Sequence, residues 1–167
     1  MKKLILFAIS IALLLSGCTS SDGTGNFKLY LTDQPFDDAD NIWVTITEIN
    51  VQKEEEGFLT LWEGSNEYDL LTLLNTVELV LESTLKAGTY TQIRLVVDSG
   101  RIVIDGVSNK MTVPSSEVKI PVMFIITDGN TTQITLDFEA EESIHVVSAG
   151  GSEQYILRPV IRVESIS

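Results

Sequence analysis

Four aspartates lie close together in TDQPFDDADN, residues 32–41: Asp33, Asp37, Asp38 and Asp40. Carboxylate oxygens at this density in a turn-rich segment are the hard ligands that calcium prefers, although their spacing differs from that of an EF-hand loop. Aspartate is also a favoured turn residue, and a run of charges is usually solvated. The segment therefore supports two interpretations, a calcium site and a solvated turn.

His145 is the single histidine and a second candidate for chemistry. It alternates with Ile144 and Val146, and Asp137 on the preceding predicted strand is its candidate partner. Catalysis would need an orienting carboxylate and a nucleophile together, whereas a cross-strand polar pair on a solvated face needs neither. We therefore predict a protein that is not an enzyme and requires no cofactor. The alternative is a hydrolase that uses outward carboxylates and His145.

Other catalytic classes lack their residues. No carboxylate pair stands in a recognisable glycosidase context, and one cysteine with one histidine excludes zinc sites built from those side chains. Cysteine nucleophiles are excluded as well, because the single cysteine, Cys18, has another use in the N-terminal pattern.

Cys18 follows a targeting pattern. Two lysines precede an uncharged apolar stretch, residues 4–15, which has the length of a signal-peptide core and is too short to span a bilayer. The next residues, LSGC, resemble the lipobox of bacterial lipoprotein precursors. That resemblance implies removal of residues 1–17, a diacylglyceryl group on the Cys18 thiol, and acylation of the new N-terminus, with palmitate as the expected acid. A lone thiol cannot form an intramolecular disulfide, so lipidation accounts for it.

The charge balance limits the partners. The chain has 24 acidic and 11 basic residues and a net charge of -13. So acidic a protein is not expected to bind nucleic acid or to lie flat on anionic lipid. Its membrane contact is therefore predicted to be the covalently attached lipid alone. We expect a lipidated N-terminus and flexible tether at residues 18–26 and one domain at residues 27–167.

Location follows from the anchor. The predicted compartment is the cell envelope. If the source cell is Gram-negative, the outer membrane or cell surface is favoured, because Thr19 stands where an aspartate is associated with inner-membrane retention.

Strand patterns dominate the rest of the chain. FKLYLT, EVKIPVMFII and TQITLDF alternate apolar and polar residues, and only YDLLTLLN is helical, for a turn or two. In the last run, QYILRPVIRVES, Pro159 predicts an edge strand or an interruption, because proline cannot donate to a ladder. Further strands are expected at 57–62, 78–85, 89–98, 101–105, 109–113 and 143–148.

Two details sharpen the fold prediction. In IWVTITEINVQ, residues 42–52, the apolar parity changes after Ile46, which predicts a β-bulge near Thr47 and Glu48. In AGTYTQIRL, Tyr90 resembles the tyrosine corner of Greek-key sandwiches. Many short strands separated by turns predict an all-β fold, an antiparallel β-sandwich with Greek-key connections of the immunoglobulin or transthyretin-like type.

Exposed side chains on these strands leave two further alternatives. Arg94, Arg158 and Arg162 either balance acidic neighbours across the sheet, which we favour, or form a positive patch for an anionic ligand. Trp43 and Trp62 either stack on sugar rings or pack under loops.

Six short motifs follow one another along the chain: LTDQP (31–35), IWVTITEINV (42–51), YDLLTL (68–73), AGTYTQIRL (87–95), LDFEAEESI (136–144) and YILRPVIRV (155–163). In this order they resemble a family of bacterial and archaeal lipoprotein domains, the DUF4382-type domain of unknown function. The resemblance implies a secreted, usually lipid-anchored, β-rich domain and supplies no activity. Together with the anchor it favours a non-catalytic binding or assembly role with an envelope protein or glycan as partner. A calcium-dependent or glycan-binding adhesion module is the alternative.

Overall fold

Two β-sheets account for most of the fold. The computed structural model describes residues 23–33, 36, 39–74, 76–149 and 152–167. A 3-10 helix lies at Leu70–Leu73 and a short helix, α1, at Ala140–Ser143. No helix among these residues is long and apolar enough to cross a membrane. The strands are β1 Thr24–Thr32, β2 Asn41–Lys53, β3 Gly57–Asp69, β4 Glu78–Lys86, β5 Gly88–Ile104, β6 Val107–Thr112, β7 Glu117–Ile126, β8 Thr131–Phe138, β9 Ile144–Ala149, β10 Ser152–Leu157 and β11 Ile161–Ile166.

The smaller sheet has four strands in the order β11-β8-β1-β4, and the larger has seven. The larger sheet runs β3-β2-β5-β6-β10-β9. Its central strand, β5, pairs with β2 along one side, while the other side pairs with β7 and then with β6. This arrangement confirms the predicted all-β sandwich. Both sheets are mixed, however, because β1 is parallel to β8 and β6 is parallel to β10. Alternation within a strand carries no information about the direction of its neighbours.

The core lies between the sheets. Its centre contains a stack of three aromatic rings, in which Phe124 lies between Phe27 and Tyr90 with centroid distances of 5.3 and 5.1 Å. The buried phenol of Tyr90 donates a hydrogen bond of 3.0 Å to the carbonyl of Lys86. That bond ties the β4–β5 connection to the strand that follows, so the predicted tyrosine corner is confirmed.

The predicted β-bulge is also present. The pairing of β2 with both neighbours shifts between Ile46 and Glu48, and Ile46 and Ile49 are both buried. Thr47 is therefore the extra residue that restores a single buried face. A matching irregularity lies on β5, where Ser99 pairs with Thr45 and Val97 pairs with Ile46, which leaves Asp98 without a partner on β2.

The two strands expected at 89–98 and 101–105 are one strand, β5, of 17 residues. Ser99-Gly100 therefore does not form a turn. A Cβ atom at Gly100 would lie 2.7 Å from Leu157 Cδ2 and 2.8 Å from Met111 Cε. Glycine occupies this strand position because neighbouring side chains fill the space that a larger residue would need.

The chain changes sheets at Pro159. β10 belongs to the larger sheet and β11 to the smaller one, with residues 158–160 between them, which confirms the predicted interruption. The predicted helical turn is the 3-10 helix, and the Asp69 side chain caps it by accepting from Leu71 N. At the other end, β1 begins at Thr24, so residues 24–26 belong to a strand rather than to the predicted tether. Cys18 and residues 1–17 lie outside the described residues.

Candidate functional site: a polar groove on the larger sheet

A tight hairpin positions the central residues of the groove. Asp105 and Gly106 have positive φ angles of 50° and 73° and connect β5 to β6, with Ile104 paired to Val107. Such a two-residue turn fixes the register of the strands on both sides. Three pairs further along, Arg101 lies directly opposite Lys110.

The groove lies on the face of the larger sheet that points away from the core. Arg101 also pairs with Trp43 on β2, whose neighbours Ile42 and Val44 are fully buried on the opposite face. The groove has a volume of about 460 Å³. It is lined by Trp43, Thr45, Glu67, Asp98, Ser99, Gly100, Arg101, Ser108 and Lys110.

Side-chain contacts hold the groove floor in place. The Arg101 guanidinium carbon lies 5.1 Å from the centroid of the half-buried Trp43 ring, a cation–π contact. Beside it, the Ser99 hydroxyl donates to Thr45 Oγ1 at 3.0 Å. The groove thus presents hydroxyl groups, one aromatic ring, two cations and the carboxylates of Glu67 and Asp98.

Arg101 and Lys110 lie opposite each other without a bridging ion pair. Neither forms an ion pair with another residue in the described part of the chain, and like charges directly opposite in a sheet are destabilising. Lys86 and Arg158 also lack an ion pair among the described residues, but they do not face another cation in this way. The other five described cations form ion pairs with glutamates: Lys28, Lys53, Arg94, Lys119 and Arg162.

A second like-charged pair supplies an internal comparison. Arg94 lies opposite Lys119 on the same sheet, but Glu117 bridges the two, 2.5 Å from Arg94 Nη1 and 3.5 Å from Lys119 Nζ. A bridging carboxylate is the ordinary solution to such a pair. At Arg101 and Lys110, no described carboxylate forms such a bridge, although Glu67 and Asp98 line the same groove.

A further cleft adjoins the groove at Asp98, Ser99 and Lys110 and has a volume of about 810 Å³. It lies where β6 and β10 pair through only two residue pairs, at the C-terminal ends of both strands. Because β5 bulges at Asp98, this exposed carboxylate lines both spaces, in keeping with the frequent placement of bulges beside functional sites. The remaining lining is mostly polar, with Asn109, Thr112, Glu153, Gln154 and Tyr155, and also contains Met111 and Val113.

One cleft residue has a shifted pKa. The Tyr155 phenol donates to Glu153 Oε2 at 2.9 Å, and this hydrogen bond to a carboxylate raises the pKa of Tyr155 above its usual 10.0. The phenol therefore stays protonated at neutral pH and acts as a donor.

The predicted calcium residues are only partly described. Asp37 and Asp38 lie outside the described residues. Asp33 is buried and accepts from Ala140 N at 3.2 Å, and Asp40 accepts from Gly106 N at 2.8 Å. Among the described residues, no group of three or more histidine, cysteine, aspartate or glutamate side chains is arranged to hold a metal. Calcium binding stays a prediction.

His145 and Asp137 are not cross-strand neighbours. His145 lies on β9 of the larger sheet, opposite Ile156, whereas Asp137 lies on β8 of the smaller sheet, opposite Arg162. The expectation that Asp137 stands on a solvated face was wrong, because β8 lies between β1 and β11 and Asp137 is 8% exposed. Neither residue lines the groove or its adjoining cleft.

Two of the three arginines singled out in the sequence balance acidic neighbours, as the favoured interpretation predicted. Arg94 pairs with Glu117, and Arg162 pairs with Glu139 and with Glu142 at 2.8 Å. Arg158 is exposed at the passage between the sheets. Both tryptophans, Trp43 and Trp62, are half-buried, and Trp62 packs against the core.

Arg101 and Lys110 were not among the sequence candidates. The signal was present in RIVIDGVSNK, because Asp-Gly between two alternating strands predicts a two-residue hairpin, and that register places Arg101 opposite Lys110. The sequence does not show whether a carboxylate bridges the two cations, because that depends on the side chains that β2 and β3 place beside them.

Comparisons with known proteins bear on the family and leave the activity open. No curated protein and no solved structure matches the chain significantly. Residues 24–159 match the family model described as a domain of unknown function, DUF4382, and the chain belongs to that family.

Proposed function

We propose that the protein is a lipid-anchored, non-catalytic binding domain of the cell envelope, whose polar groove binds an anionic glycan. The observation that carries the proposal is the like-charged pair of Arg101 and Lys110, which lacks the bridging carboxylate present at Arg94 and Lys119. A carboxylate, sulfate or phosphate group of a ligand would relieve the repulsion and form charge-assisted hydrogen bonds.

The neutral part of the lining favours a glycan. Hydroxyl groups of Thr45, Ser99 and Ser108 lie beside the indole of Trp43, and the adjoining cleft adds amides and further hydroxyls. Sugars present donors and acceptors together with one apolar ring face, which matches this combination. The open, polar form of the groove is less suited to an apolar peptide, whose anchors require closed pockets.

The anchor part of the proposal rests on the lipobox and the lone cysteine. Metabolic labelling with palmitate should incorporate label into the parent chain and not into Cys18→Ser. A parent chain that fractionates with the membrane without incorporating acyl label would refute lipidation at Cys18.

The binding part is tested by titrating the full chain, in detergent, with oligogalacturonate, oligoalginate and heparin fragments, and with cellotetraose as a neutral control. We expect binding to an anionic member, and a loss of at least about tenfold in affinity for the double variant Arg101→Gln, Lys110→Gln. Lys119→Gln, which removes a cation outside the groove, should bind like the parent. Equal binding of cellotetraose, no binding of any anionic glycan, or an unaffected double variant would each refute the proposal.

The same titration in EDTA tests the calcium prediction. A weaker affinity in EDTA that calcium restores would identify a calcium-dependent module. An unchanged affinity would separate glycan binding from calcium.

A further inference from the structure

Strand β9 is an edge of the larger sheet with unusual composition. In the described part of the chain, β9 pairs with β10 on one side only. Its six residues, Ile144–Ala149, include no acidic residue and one titratable group, His145. Exposed edges are normally protected by charges or proline, which prevent another strand from pairing with them.

The other outer strands carry that protection. Each has charged side chains along its length, and β7 also contains a proline. The protecting residues are Glu63 and Glu67 on β3, Glu78 and Glu82 on β4, Glu117, Lys119 and Pro121 on β7, and Arg162 and Glu164 on β11.

Apolar side chains next to the core also stay exposed at β9. Val146 pairs with Tyr155, and Tyr155 pairs with Met111, so the three side chains lie on the same, core-facing side of the sheet. Met111 is 1% and Tyr155 8% exposed, whereas Val146 is 55% exposed. On the opposite face, Val147 is 43% exposed. A further strand beside β9 would bury apolar surface on both faces of the sheet.

We propose that β9 pairs with β9 of a second copy of this chain, antiparallel across a two-fold axis, so that the two larger sheets become continuous. With the axis at Val146, that residue meets its own copy, His145 lies opposite Val147, and Ile144 lies opposite Ser148. Because β9 has no acidic residue, this pairing places no carboxylate opposite another, although the chain has 24 acidic residues. An isologous contact of this kind closes as a dimer.

The charge of the chain favours a second copy of it over a strand of another protein as the partner of β9. A chain with a net charge of -13 would select a cationic partner through carboxylates at the contact, and β9 offers none. Two acidic bodies repel each other at a distance, and salt screens that repulsion while leaving apolar burial intact. Association through β9 should therefore strengthen as ionic strength rises, whereas pairing with a cationic partner should weaken.

Sedimentation velocity of the full chain in detergent tests the proposal. The NaCl concentration is varied from about 0.05 to 1 M, a range over which the Debye screening length shortens several-fold. We expect a dimer whose fraction rises with salt and protein concentration. Val146→Lys should give monomer at every salt, and Val107→Lys, at a 60% exposed valine away from the edge, should behave like the parent. Val147→Lys repeats the test on the other face, and circular dichroism checks that each variant folds.

Cysteine cross-linking locates the contact. Directly opposed residues in antiparallel strands have Cα atoms about 4.5–5.5 Å apart, within the range of a disulfide. Val146→Cys or Val147→Cys, whichever lies at the axis, should form a dimer under oxidation, while the parent chain and Leu79→Cys on the charged β4 edge should not. A parent chain that stays monomeric, a dimer that survives both lysine variants, or equal cross-linking of Leu79→Cys would each overturn the proposal. β9 lines neither cleft, so glycan binding and dimerisation can fail separately.

Discussion

Lys110→Glu should raise stability and abolish glycan binding at the same time. Lys110 is exposed and lies directly opposite Arg101, with no ion pair to another described residue. Two unit charges about 6.5 Å apart in water repel by roughly 0.6 kcal/mol, and reversing one sign turns this repulsion into attraction. Allowing for the entropy of long exposed side chains, we expect a gain of about 0.5–1 kcal/mol.

The assay is thermal unfolding at low salt. For a domain of this size the gain corresponds to a rise in Tm of about 2–4 °C, which should shrink in 1 M salt. Combining Lys110→Glu with Arg101→Gln in a double-mutant cycle isolates the pair from the change in net charge. The same preparations are titrated with oligogalacturonate.

Lys28→Glu is the matched control. Lys28 lies opposite Glu82 in the smaller sheet, with Nζ 3.4 Å from Glu82 Oε1, so the same substitution there places two glutamates together. Its Tm should fall where that of Lys110→Glu rises. An unchanged or lower Tm for Lys110→Glu, or a cycle without coupling to Arg101, would refute the reasoning about the unbridged pair.

Three further predictions concern the fold and one surface carboxylate. Tyr90→Phe should destabilise by about 1 kcal/mol in urea unfolding, because the phenol loses its backbone hydrogen bond; no change in the midpoint would contradict a structural role for the corner. Gly100→Val should cost about 1–3 kcal/mol, because the added carbons would meet Leu157, and a neutral effect would mean that the strands can separate. The hydrogen bond from Asn26 holds the pKa of Glu82 below its ordinary 4.5, so Asn26→Ala should raise that pKa in an NMR titration. The accompanying loss of stability should be present at neutral pH and fade as the pH falls through the lowered pKa, and a loss that persists in acid would assign it to another cause.

Features that depend on neighbouring residues in the chain could be predicted from the sequence. The parity change after Ile46 required an extra residue, Pro159 required a break in pairing, and Tyr90 sits four residues after its acceptor. Each of these depends on backbone geometry over a few residues, so one sequence is sufficient.

Features that depend on distant strands could not be predicted in this way. Gly100 resembles a turn residue until Met111 and Leu157 are known to fill the space beside it. Asp137 has the alternation of a solvated residue, yet it is buried because β1 and β11 flank its strand. The groove likewise requires four strands, β2, β3, β5 and β6, to bring side chains such as Trp43, Arg101 and Lys110 to one surface.

The position of β1 has a mechanical consequence. Any tension transmitted from residues before Gly23 enters the domain at the start of β1, where Ala87 N donates to Gly23 O at 2.7 Å and Thr24 N donates to Asp128 Oδ1 at 3.0 Å. β1 is an interior strand with β4 on one side and β8 on the other, and its ladder hydrogen bonds lie across the strand direction. A pull along β1 therefore loads both ladders in shear, all bonds together, instead of opening them one at a time. A force applied at Gly23 along β1 therefore has to break the hydrogen bonds to β4 and β8 together before the strand can leave the sheet.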